Sequence, residues 1–223
     1  MELNKIKMGF KQKLVNQVRK PMGKFGRIIA KEMNKGHAKL AKWGISKIMI
    51  EPNDYILDIG CGGGGNIKNF AEVIVDGKVY GIDYSEIAVS VSREVNKIYI
   101  ENGTVEIYNA SVSSLPFKHD FFNIVSGFEA YYFWPDLPND LKEINRVLKL
   151  KGKLILVNEG YICSNEKKRK KAEKWAKLGQ FPIHSPEEYN DLLTKAGFSD
   201  IQIFEENKKG WITVIGKKEV SLL

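Results

Sequence analysis

The stretch LDIGCGGGGN, residues 57–66, places five glycines in ten positions, directly behind the short apolar run YILDI. Glycine at that density weakens a helix or a strand, so the segment is a turn, and its flanks decide what it joins. YILDI has the length and composition of a buried strand. The residues from about Asn66 onward read as a helix. A strand that leaves through a glycine turn into a helix is the opening of a crossover unit, which commits the following chain to a parallel sheet covered by helices.

The rest of the chain keeps to that commitment. KVYGID is a second strand, followed by a helix over roughly residues 85–100. VEIYN and FFNIVSGF are the third and fourth strands. LPNDLKEINRVLK is a helix closed by Lys151 and Gly152, and KLILVNE is the fifth strand. SPEEYNDLLTKAGF opens with a capping box, with Ser185 at the N-cap, Pro186 at the first helical position and Glu188 two positions later. Gly197 stops that helix. IQIFEEN and GWITVIGKK are then joined by about four polar residues, too few for a crossover, so they form a hairpin and the last strand runs against its neighbours. Residues 1–50 read as helices, a basic one and then one over HAKLAKWGISKIMI, separated by Pro21 and Gly23. The expectation is an α/β fold in which a helical cap, residues 1–50, serves as a lid on a domain of residues 51–223.

Composition bounds the function. The 223 residues are 43% hydrophobic, enough for a core, and contain no apolar run long enough to span a bilayer. The first twenty residues are charged throughout and lack the apolar stretch of a secretory signal, and Cys61 and Cys163 complete neither a disulfide framework nor a zinc site. A reducing cytoplasm and no bound metal are expected. The net charge of +8 is densest in EKKRKKAEKWAK, residues 166–177. Such a run is either a solvated helix face or a nucleic-acid contact.

The glycine pattern fits a dinucleotide turn, where bare backbone approaches a ligand and the following helix offers free N–H groups, but by itself it identifies no one cofactor. Asp58 narrows the choice. A carboxylate two residues before Gly60 would repel a pyrophosphate and attract an ammonium group, directly or through water. Asp83 ends the second strand, the place from which an acid accepts hydrogen bonds from ribose hydroxyls. The alternative for Asp83 is a helix cap, a role Ser85 could also fill. An amine at the first strand and a ribose at the second describe S-adenosylmethionine.

YILDIGCGGGGNIKNFAE, GKVYGIDYS, SSLPF, FFNIVSGFEAYYFWPD and LKEINRVLKLKGKLILVNE, taken in order, resemble the successive motifs of class I S-adenosylmethionine-dependent methyltransferases. The resemblance is nearest to the small-molecule group that includes the ubiquinone/menaquinone-type enzymes, and covers about residues 45–217. It implies a seven-stranded, mostly parallel sheet with an antiparallel last strand. It also implies that Asp58, Gly60, Cys61 and Gly62 line the methionine end of the cofactor and that Asp83 binds the ribose. Tyr84 would lie against the adenine, with Ser111, Val112 and Phe128 beside it. Ser111 stands where an acid contacting the adenine amino group is usual, which leaves the backbone near Val112 for that contact.

Methyl transfer from a sulfonium needs alignment, exclusion of water and, for some acceptors, a base. GFEAYYFWPD, after the fourth strand, holds Tyr131, Tyr132 and Trp134 as substrate-binding candidates and Glu129 as the first candidate base. Glu159, at the end of the fifth strand, is the second. His37, read as preceding the helix that covers the site, is the third, with a capping or surface role as its alternative. The expected acceptor is a small molecule. Three rivals remain: an RNA acceptor drawn to the basic run, a nicotinamide-dependent oxidoreductase, and a fold that binds cofactor without transferring anything.

Overall fold

The computed structural model describes residues 12–219. The basic segment before residue 12, read above as part of the first helix, lies outside the described residues. Helix α1 (residues 12–19) leads through Pro21 into α2 (Gly23–Ile45). Seven strands follow: β1 (Tyr55–Ile59), β2 (Lys78–Asp83), β3 (Val105–Asn109), β4 (Phe122–Phe128), β5 (Leu148–Glu159), β6 (Phe198–Glu206) and β7 (Trp211–Lys218). Between them lie α3 (Gly65–Ala71), α4 (Glu86–Val95), α5 (Lys97–Glu101), a single 3-10 turn at Tyr131–Phe133, α6 (Leu137–Val147), α7 (Glu166–Gly179) and α8 (Pro186–Lys195). The sheet order is β3-β2-β1-β4-β5-β7-β6, parallel from β3 to β5, with β7 antiparallel to both of its neighbours.

Strand periodicity divides the core. Leu57, Tyr80, Val125 and Leu156 face one layer, packed with Leu141 and Ile144 of α6 and Leu193 of α8. Their chain neighbours Ile56, Val79, Ile124 and Ile155 face the other, packed with Leu40 of α2, Phe70 of α3 and Val89 of α4. Successive side chains point to opposite faces, so strands buried on both sides read as unbroken apolar runs. The capping box of α8 is complete: the Glu188 amide donates to Ser185 Oγ at 3.2 Å and the Ser185 amide to Glu188 Oε2 at 2.8 Å.

Three sequence expectations are revised. His37 does not precede a helix; α2 is continuous through Gly36 and His37, because its apolar face is anchored on the sheet by Leu40 and Ala41. The helix over 85–100 breaks at Asn96, whose side-chain amide donates to Gly64 O at 3.0 Å and to Ser92 O at 2.9 Å. The helix expected to end at Lys151 and Gly152 stops at Val147, since Leu148 already pairs with Phe122. Lys151 instead sits in an irregularity of β5, at φ +66°.

Candidate active site

The glycine turn connects β1 to α3 and is held from three sides. Gly60 and Cys61 both donate to Ile82 O at 2.9 Å, which ties the turn to β2. Gly62 donates to Asp83 Oδ2 at 3.0 Å. From α2, Asn34 donates to Gly63 O at 2.8 Å and accepts from Gly65 N at 3.3 Å. Asn34 occupies the first amide of α3, while Gly65 and Asn66 at that N-terminus still line the cavity described next. The glycines also serve different ends. A Cβ on Gly63 would sit 2.5 Å from Ala30 O, and one on Gly64, at φ +79°, would sit 2.4 Å from Ser92 Oγ. Those two are required by the close approach of α2 and α4. Gly60, Gly62, Gly63 and Gly65 line a cavity of about 580 Å³.

Asp83 closes the far side of that cavity. Its Oδ1 accepts from Ser85 N at 2.8 Å, and burial raises its pKa against those two backbone donors. Ser85, not Asp83, caps α4, accepting from Ala88 N at 3.3 Å. Tyr84, Ser111, Val112 and Phe128 also line the cavity, as does Cys61. The Tyr84 hydroxyl donates to Arg19 O and the Ser85 hydroxyl to Pro21 O, so the α1–α2 connection is fastened over the end of β2.

Asp58 does not line the cavity. It is 1% exposed, behind the turn, where Ser126 Oγ of β4 donates to its Oδ1 at 2.7 Å. Oδ2 has no hydrogen-bond partner. Burial pushes its pKa up to about 7, the Ser126 bond opposes this, and the Asp83 charge adds to it. A buried carboxylate oxygen left unpaired is costly, and a cationic ligand group or a bridging water at the turn would relieve it.

A second cavity, of about 350 Å³, adjoins the first. Val18, Met33, His37 and Glu129 line both. Glu129 follows β4 at φ +52°, a strained conformation that turns its side chain toward the end of β5. Its Oε1 accepts from Glu159 N and its Oε2 from Tyr132 Oη at 2.7 Å. Burial raises its pKa to about 7 in spite of both donors. Burial also lowers the pKa of His37, and the Glu159 charge acts the other way. Glu159 lines the second cavity and pairs with Lys171 at 3.3 Å.

The aromatic run after β4 is distributed among different jobs. Tyr132 lines the second cavity and Trp134 the first, with its indole Nε1 buried and unpartnered. Tyr131 lines neither. The 3-10 turn swings its ring into the core against Tyr132 and Tyr189, and its hydroxyl meets His184 Nδ1 at 3.1 Å, so it does not stand where a substrate could touch it. The basic run is also divided. Lys168, Lys171 and Trp175 of α7 line the second cavity, while Lys170 pairs with Glu166 at 2.6 Å and Arg169 with Glu173 at 3.6 Å. Neither sequence reading of the run, a solvated face or a nucleic-acid contact, foresaw that its first group would line a cavity. Among the described residues no helix is long and apolar enough to cross a membrane.

Residues 57–156 match the protein family described as "Methyltransferase domain". Over 182 residues, 78% of this chain, the sequence is 28% identical to cycloartenol-C-24-methyltransferase 1 of Oryza sativa subsp. japonica, covering 52% of that protein. Over 114 residues, 50% of this chain, it is 35% identical to demethylmenaquinone methyltransferase of Symbiobacterium thermophilum, covering 45% of that protein. The chain thus spans about half the length of these curated relatives, or less of others. A SAM-dependent methyltransferase structure from Aquifex aeolicus superposes with a TM-score of 0.70 at 17% identity, over 87% of this chain and 99% of that one, a likeness that speaks to the fold.

Proposed function

We propose that the protein, whose residues 57–156 match the methyltransferase domain family, is a class I S-adenosylmethionine-dependent methyltransferase that transfers a methyl group to a small-molecule acceptor. One observation carries the reading: two cavities share a wall at Glu129 and His37, so two ligands held in them would meet there.

The first cavity fits the cofactor. Gly60 and Gly62 would flank its methionine part, Asp83 would accept from its ribose hydroxyls, and Tyr84, Ser111 and Val112 would surround its adenine. The partnerless Oδ2 of Asp58 is the counter-charge for its ammonium group, reached through the turn by water. When bound, S-adenosylmethionine supplies an electrophilic methyl group. The chain's own contribution is positioning and proton handling. Met33 and Val18 exclude water from the junction. Glu129, with a pKa near 7, accepts the proton that an acceptor hydroxyl or ammonium loses. The Glu159 amide and the Tyr132 hydroxyl hold the Glu129 carboxyl in place. His37, kept neutral by burial, is the second group able to take that proton. Helix α1 and the first part of α2, which line both cavities through Val18, Met33 and His37, act as the lid, and a cytoplasmic location is the expectation of the sequence.

The test is to incubate the protein with radiolabelled S-adenosylmethionine and separated metabolite and tRNA fractions. Label in a small-molecule fraction supports the proposal, and label confined to tRNA would replace it with the RNA reading. Failure to bind S-adenosylhomocysteine would remove the cofactor assignment itself.

A further inference from the structure

The second cavity has one end at Glu129, beside the cofactor cavity, and another where α7 meets the β6–β7 turn. Two lysines converge on that far end, Lys168 from α7 and Lys209 from the turn, whereas Lys171 pairs with Glu159, whose amide donates to Glu129, and so belongs to the other end. Lys168 and Lys171 lie three residues apart on one helix face, with Ala172 buried next to them, so the helix directs both toward the cavity. Lys168 packs its stem on Gly210, next in the chain to Lys209. The one carboxylate besides Glu129 that lines this cavity, Glu159, is paired with Lys171 at 3.3 Å. Among the described residues neither Lys168 nor Lys209 pairs with a carboxylate; Lys209 lies 4.3 Å from the centroid of the Trp211 ring. Between the two ends the walls are flat and apolar, with Tyr132 stacked on Phe181 at 4.7 Å between centroids and Trp175 from α7.

From this arrangement we infer that the acceptor is an amphipathic anion. Its planar or apolar body lies between the stacked Tyr132–Phe181 pair and Trp175, its carboxylate or phosphate is held by Lys168 and Lys209, and its methyl-accepting atom is at the Glu129 end. The inference rests on the proposed function, since it takes the second cavity to be the acceptor site. The cationic cluster selects by charge. A neutral isostere leaves the lysines hydrated and gains nothing from them, and an amine at that end is repelled.

The test uses protein saturated with S-adenosylhomocysteine, titrated by calorimetry with naphthoate, naphthyl phosphate, naphthalenemethanol and naphthylmethylamine. The expected result is that one or both anions bind at least about tenfold more tightly than the alcohol, with the amine weakest. The tighter of the two anions distinguishes a carboxylate acceptor from a phosphorylated one. In the double variant Lys168→Gln/Lys209→Gln the preference should fall to within about twofold, while S-adenosylhomocysteine affinity is unchanged. Tighter binding of the alcohol or the amine, no binding of either anion, or an anion preference that survives in the double variant would overturn the inference. Loss of S-adenosylhomocysteine binding by the wild type would instead overturn the reading beneath it, so the two failures are separable.

Discussion

The two cavities meet at Glu129 yet are built in opposite ways. The first is made largely of backbone: a turn held by Ile82 O and by the Asp83 and Asn34 side chains, contributed by chain between Val18 and Pro135. The second is made of side chains from segments as distant as Val18, Tyr132, Trp175 and Lys209. A backbone cradle demands particular residues at particular spacings, whereas a side-chain wall can be drawn from any surface that the fold happens to bring together. On the proposed reading, the side that takes the cofactor is therefore generic and the side that takes the acceptor individual.

The contrast can be broken most directly at the shared wall. Glu129→Gln keeps an acceptor for the Glu159 amide but cannot take a proton. Single-turnover methylation should fall about 10²–10⁴-fold with S-adenosylhomocysteine affinity unchanged, and Glu159→Gln should lose less. Weakened cofactor binding in Glu129→Gln would move that residue to the cofactor side.

Asp83→Ala tests the other region. It removes an ionisable acceptor whose hydrogen bonds contribute ~1.5–3 kcal/mol each, so calorimetry should record at least an about tenfold loss of cofactor affinity with the fold intact. The backbone amides of Gly62 and Ser85 would lose a partner too, so a modest drop in Tm accompanies it.

Acid should separate the two buried carboxylates, Asp58 and Glu129, both raised to about 7. Each is needed ionised, so function is present above pH 7 and lost as pH falls through it. S-adenosylhomocysteine affinity reads the carboxylates of the first cavity and not Glu129: it should decline with acid in the wild type and in Glu129→Gln alike, and less steeply in Asp58→Asn, where Asp83, also raised by burial, still titrates. A profile that follows Glu129 instead would break the division between the two sides. The sign for stability is the reverse. A raised carboxylate pKa favours the folded state below the unfolded value, and that contribution is lost as pH rises through 7, so Asp58→Asn should raise Tm at pH 8 while it weakens cofactor binding.

The smallest effect is expected on the outer face of α7. Lys167→Gln, Lys170→Gln and Lys174→Gln together should change turnover of a small acceptor by less than about twofold, because none of the three lines a cavity. A large loss with a steep salt dependence would restore RNA as the acceptor.

What the sequence disclosed follows the same division. The strands, the antiparallel end, the capping box and the place of Asp83 at the end of β2 were legible because each is set by local chemistry at fixed spacing. Asn34 was not, since nothing in a helix interior marks the one polar residue that will reach a glycine turn 29 positions away in sequence. Ser126 did leave a trace, as a small polar residue inside the apolar run FNIVSGF and opposite Asp58 in the sheet register. Tyr131 was misplaced because composition reveals a cluster of aromatics but not which way a 3-10 turn will aim each ring.

The insertion of β7 between β5 and β6 also sets an order of events during synthesis. The first cavity is lined by residues that have all been synthesised once Pro135 is made. The sheet, however, stays open at β5 until Trp211–Lys218 emerge, because β6 pairs with β7 alone. Lys209 and Gly210, which finish the second cavity, arrive only moments before. A nascent chain thus carries the residues of the first cavity well before those that finish the second, and if the first takes the cofactor as proposed, a ligand could add stability to that part by mass action before the second is complete.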